Sequence, residues 1–219
     1  MDVIKQKAKE RGFTLIEMLI VVAIFAVVAT VLLFHYSDFN TAIAVRDLAQ
    51  EMGLSVRKAQ TYATSVRSID GGGGILSDTF PAYGVSFSTN TTAATLYDPT
   101  NASFTLFVDA SASSNTTTNN EFDNNGTCGS PAINQECIES FGITASDKIK
   151  SLVVLKNGVQ TNAQTVDVVF HRPNPDAIIC VPNGNPQCPV YDGLIITVVS
   201  PKFVTRTITV WNTGQINVN

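Results

Sequence analysis

The sequence predicts an α+β protein in which one long N-terminal helix packs on an antiparallel β-sheet head. Three observations predict it. Residues 13–34 are apolar apart from Thr14, Glu17 and Thr30. Residues 45–66 place apolar side chains at three- and four-residue spacing, the signature of an amphipathic helix. From residue 83 onward the pattern shortens to strand-length apolar runs separated by polar turns. At 219 residues, 44% hydrophobic and 15% charged, with a heavy load of Thr, Asn and Ser, the chain can hold one ordinary domain plus an extra element, and it suits a β-rich extracytoplasmic protein.

The first element is the apolar run. Its 22 residues, at about 1.5 Å each, span a bilayer core of about 30 Å. Lys5, Lys7, Lys9 and Arg11 precede it, against Asp2 and Glu10, and this basic prefix keeps the N-terminus cytoplasmic while the chain beyond His35 is exported. Without the first twelve residues the 14 basic and 18 acidic side chains fall to 10 and 16, a net −6. An acidic body argues against non-specific nucleic-acid binding. A cleaved secretory signal would have a shorter apolar core with a small-x-small site close behind it. Here "VLLFHYSDFN" ends the run, and the nearest such triplet, Ala42-Ile43-Ala44, is too far downstream. A lipoprotein signal is excluded because no cysteine precedes Cys128.

One carboxylate, Glu17, sits inside the run, where an unpaired charge costs several kcal/mol. Together with its flanks, the stretch "RGFTLIEMLIVVAI" resembles the class III signal of type IV pilins and type II secretion pseudopilins. The resemblance implies cleavage by a prepilin peptidase between Gly12 and Phe13, N-methylation of Phe13, and a role for Glu17 in assembly. The new amine of an incoming subunit would pair with a neighbour's Glu17, so that each charge loses its burial penalty only in the filament.

The second half of the helix is expected to bury Val45, Leu48, Ala49, Met52, Val56, Ala59, Ala63 and Val66, with Arg46, Asp47, Glu51, Arg57 and Lys58 mostly elsewhere. No proline interrupts the chain before Phe80, and "SIDGGGG" (68–74) is the expected break. The domain reading is therefore a leader at 1–12, a membrane and filament-core helix at 13–36, an amphipathic half at 37–70 and an extracytoplasmic head at 71–219.

In the head, strands are expected at 83–88, 93–98, 103–109, 149–155, 165–170, 177–181, 194–200, 206–211 and 215–218, the last two joined by "NTG". Segment 110–147 lacks a clear pattern and reads as a long exposed loop. The pieces "YGVSF", "FTLFVD" and "RTITVWNTGQINV" resemble the H-type minor pseudopilins and the T-type fimbrial minor pilins. Some T-type relatives bind DNA through C-terminal basic residues, of which this chain has only Lys202 and Arg206.

Four cysteines allow three connectivities, and the short spacings favour Cys128 with Cys137 and Cys180 with Cys188. Metal binding competes, but neither pair has CxxC spacing and only His35 and His171 could complete a site. Two disulfides imply an oxidising compartment. In "NNEFDNNG", Glu121, Asp123 and Asn125 alternate as calcium-loop oxygens do, yet Ala132 stands where the twelfth-position carboxylate belongs. Calcium is thus a weak candidate beside a solvated turn, and no other cofactor is expected. Sequons at Asn90, Asn101, Asn115 and Asn125 are compatible with chance in so Asn- and Thr-rich a chain. His171 reads as a loop residue at a strand end, and "DGGGG" lacks the Lys and Ser/Thr of a phosphate loop. No catalytic set emerges.

These readings converge on a non-enzymatic subunit of a pilus or pseudopilus. Its expected partners are other pilin-like subunits, a prepilin peptidase and an inner-membrane assembly platform. The head resemblance favours a minor subunit; the long polar loop would equally suit a major one. A membrane-anchored binding module that does not polymerise, for DNA uptake or adhesion, is the alternative.

Overall fold

The structure is a computed structural model that describes residues 12–65, 81–92, 99–109, 119–122, 128, 136–144, 146–182, 188–189 and 191–219. It shows the α+β fold. Helix α1 (Leu15–Thr64) precedes ten strands among the described residues. By its internal contacts the chain forms two compact units, Met1–Asn40 and Thr41–Asn219.

In the first unit, Leu15–Leu33 is a 19-residue helical stretch of mean hydropathy 2.9, long and apolar enough to cross a membrane, and none of it is buried. Within this stretch Thr30 donates its hydroxyl to the Ala26 carbonyl at 2.7 Å, which satisfies a polar group that lipid could not.

In the second unit the remainder of α1 turns one face inward. Val45, Leu48, Ala49, Met52, Val56, Ala59 and Ala63 are buried, while Arg46, Asp47, Glu51 and Arg57 are exposed. The amphipathic stripe is therefore as its spacing predicts, up to Val66, which lies outside the described residues. Small residues let the strands approach: a Cβ on Gly53 would lie 2.9 Å from Val218 Cγ2. Gln60 Nε2 donates to the carbonyls of Pro175 (2.8 Å) and Gly214 (3.2 Å), tying the helix to the final hairpin.

The strands are β1 (Ala82–Ser88), β2 (Ser103–Asp109), β3 (Cys137–Gly142), β4 (Lys148–Lys156), β5 (Val159–Ala163), β6 (Thr165–Phe170), β7 (Ala177–Cys180), β8 (Gly193–Val199), β9 (Thr205–Trp211) and β10 (Ile216–Val218). They form two antiparallel five-stranded sheets, ordered β3-β2-β1-β6-β7 and β10-β9-β8-β4-β5. The inner faces of both sheets share one core with α1, built on Tyr83, Phe87, Phe104, Leu152, Ile196 and Ile208 among others.

Two strands depart from the sequence expectation. β5 is exposed along nearly its whole length, so no apolar alternation marks it. The signal for it is Asn157-Gly158, whose φ values of 50° and 78° make the two-residue turn between Lys156 and Val159. β3 buries little beyond Cys137 and lies inside the segment read as a loop. The predicted strand 93–98 and the glycine run 68–74 lie outside the described residues.

Segment 110–147 also differs from the exposed loop the sequence suggests. Its described part 119–122 lies against the outer face of the first sheet, where Phe122 packs on Phe107, Ala82 and Val169. Asn120 N–H donates to Asp109 Oδ2 and Phe122 N–H to Asp167 Oδ2, each at 2.9 Å. Both carboxylates are buried, and buried acids require such donors. This cover explains why β1 is buried on both faces.

Candidate functional site

The candidate site is the start of α1. Thr14 occupies the N-cap: the Glu17 amide donates to Thr14 Oγ1 at 3.3 Å and to the Thr14 carbonyl at 3.1 Å, and the Met18 amide reaches that carbonyl at 3.2 Å. The Thr-x-x-Glu order is that of a capping box, which starts a helix sharply at Leu15. Glu17 is thereby fixed in the first turn of the helix.

Gly12 and Phe13 precede the helix in non-helical backbone. Phe13 is 77% exposed, and a Cβ on Gly12 would meet nothing within 4 Å. The bond between them is thus open to an approaching enzyme. Around Glu17 and along the stretch to Leu33 the apolar side chains are exposed, Leu15, Ile16, Leu19, Ile24 and Leu33 among them. A contiguous apolar surface of this size demands lipid or protein around it.

The other predicted site residues lie in the head. Cys128 is bonded to Cys137, with Cα atoms 4.7 Å apart, and Cys180 to Cys188 at 5.1 Å. The first bond anchors the loop to β3, the second ties the 188 segment to β7. Glu121 is buried, with Oε1 3.7 Å from Cys180 Sγ, while Asp123 and Asn125 lie outside the described residues. Glu121, Cys180 and Cys188 sit close enough to hold a metal, but their two sulfurs are bonded to each other and offer no thiolate.

His171 lies just past β6 and its Nε2 contacts Asn120 Oδ1. Burial pushes its imidazole below the ordinary range. A cavity of about 540 Å³ lies on this side of the head, lined by Ser86, Asp167, Thr165, Gln164 and Phe122 among others. Sequence reasoning missed this covered face because its contacts join residues far apart in the chain.

Comparison with protein families gives one finding. Residues 7–33 match the family model described as the prokaryotic N-terminal methylation motif. No curated protein and no solved structure matches the chain. The matched residues take in Gly12, Phe13 and Glu17, and the match supports a pilin-like or pseudopilin-like protein processed by a prepilin peptidase.

Proposed function

We propose that this chain is a structural subunit of a type IV pilus or of a type II secretion-like pseudopilus. The observation that carries the proposal is a coincidence of position. The methylation motif at 7–33 overlaps an apolar helical stretch, Leu15–Leu33, that the chain's own fold leaves wholly uncovered. Lipid covers that stretch before assembly, and the same stretch of neighbouring subunits covers it afterwards.

In this reading the peptidase cuts Gly12–Phe13 on the cytoplasmic face, and Phe13 becomes the methylated N-terminus. The freed amine lies just ahead of the first helical turn, within reach of a neighbour's Glu17. Glu17 and the amine each carry a charge that is costly in an apolar surround, and pairing between subunits removes both costs at once. The head stands outside the cytoplasmic membrane, where its two disulfides persist. The "YGVSF", "FTLFVD" and "RTITVWNTGQINV" segments, which form β1, β2 and the β9–β10 hairpin, support a minor subunit.

Mass spectrometry of the chain purified from membranes of its producing cells tests the processing step. The expected N-terminus is N-methylated Phe13. An intact Met1, or a start after residue 34, would contradict it.

A further inference from the structure

Among the described residues of the head, the most exposed large apolar side chain is Phe203, at 87%. It lies in the turn between β8 and β9 with φ of 63°, a left-handed backbone that a bulky residue adopts only at a cost. The turn is closed by Phe203 N–H to the Ser200 carbonyl and Ser200 N–H to the Val204 carbonyl, each 2.9 Å. The fold thus holds an aromatic ring out in solvent on a strained, well-formed tip.

Cations surround this tip. Lys202 precedes Phe203, Lys148 pairs with Val199 at the end of β8, and Arg206 pairs with Val198. Lys150 is exposed two residues along β4 from Lys148. Four of the ten basic residues beyond residue 12 therefore gather at one end of an otherwise acidic body. The acid beside them, Asp147, is buried, and burial pushes its carboxyl above the ordinary range. Asp47 and Glu51 lie exposed on α1.

The register shows which end this is. Gly53 faces Val218, whereas Gln60 binds the Gly214 carbonyl. Four strand residues, about 13 Å, thus match seven helix residues, about 10 Å, so β10 runs nearly antiparallel to this part of α1. Asn219 pairs with Thr207, and the tip lies a further four residues along β9. The tip is therefore at the end of the head where α1 enters and where its burial begins, at Val45. Residues 34–44 separate that entry from the apolar stretch ending at Leu33, at most about 40 Å of chain even if fully extended.

We propose that the β8–β9 tip is a second membrane contact, in which Phe203 enters the interfacial layer of an anionic bilayer while Lys148, Lys150, Lys202 and Arg206 engage lipid phosphates. An aromatic ring among cations matches the polarity gradient of an anionic lipid surface. The contact holds the head against the membrane before assembly and is released on extraction. It rests on the membrane-anchored reading above.

The test reconstitutes the full-length chain into phosphatidylcholine vesicles with or without phosphatidylglycerol. Phe203→Trp is compared with the unchanged chain, whose single tryptophan is Trp211. Brominated lipid is expected to quench the added emission about twofold in anionic vesicles, and high salt or Lys148→Gln/Lys202→Gln is expected to abolish that quenching. Absence of quenching at position 203 in chains that float with the vesicles would overturn the contact while leaving the anchor intact. Quenching of equal size in neutral vesicles would overturn the role of the cations. Chains that fail to float with any vesicle would overturn the anchor and the contact together. A duplex DNA shifted by the detergent-solubilised chain and released by the charge variant, without lipid quenching, would reassign the patch to nucleic acid.

Discussion

The Glu17 amide donates to Thr14 Oγ1 at 3.3 Å, so the residue that caps α1 also fixes the turn that carries the one acid of the apolar stretch Leu15–Leu33. One local motif sets its position. Thr14→Ala removes the cap and is expected to loosen the first turn by about 1 kcal/mol, whereas Thr14→Ser preserves it. Hydrogen exchange of the Glu17 and Met18 amides in detergent measures the difference; equal exchange in all three chains would show that Thr14 does not cap the helix.

Gly214 combines a φ of 78° with a site where a Cβ would meet the Pro175 carbonyl and Gln60 Nε2. Gly214→Ala is expected to cost about 1–2 kcal/mol from the left-handed backbone, and more from the collision. The denaturation midpoint tracked by Trp211 fluorescence should fall, and it should fall further than for Gly142→Ala, where a Cβ meets nothing within 4 Å.

The disulfides close short loops, with sequence separations of 9 and 8, for which chain entropy gives about 2–3 kcal/mol each. Replacing Cys180 and Cys188 by Ala is expected to lower the urea midpoint of the head and to expose 119–122, whose Glu121 lies against that bond, to proteolysis. Unchanged proteolysis of this segment would show that Asp109 and Asp167 hold it without the disulfide.

His171 sets an acid limit. Burial lowers its pKa below the unfolded value of about 6.5, so the unfolded chain takes up the proton first. The stability tied to the neutral ring is present above pH about 6.5 and is lost as pH falls through that value towards the lower folded pKa. Asp147, raised by burial, acts in the opposite sense: it binds its proton more readily when folded, so its effect favours the fold as pH falls through its raised value. His171→Gln should therefore flatten the loss of stability between neutral and mildly acid pH, read as urea midpoints across that range. A slope identical to that of the unchanged chain would contradict this.

The parts of the molecule written locally were legible in the sequence. The helix stripe from Val45 to Ala63 comes from spacing, and the Gly12, Phe13, Thr14, Glu17 cluster from order along the chain. Asn157-Gly158 is a hairpin signal, but β5 carries polar, exposed side chains and no apolar run, so no strand is expected between 149–155 and 165–170. Long-range dependencies could not be read. Asp109 and Asp167 look like ordinary strand-end and mid-strand acids until 119–122 is laid across them. Phe203 looks like one more apolar residue near a strand until its exposure is seen.

Glu17 is proposed above as an assembly residue and not as a tolerated defect in a membrane anchor. That distinction is tested most directly by the incorporation of Glu17→Ala into filaments, counted in sheared or extracted assemblies against the amount of chain in the membrane. The expected result is normal membrane insertion, normal cleavage before Phe13 and loss of incorporation. Normal incorporation of Glu17→Ala would contradict the assembly role.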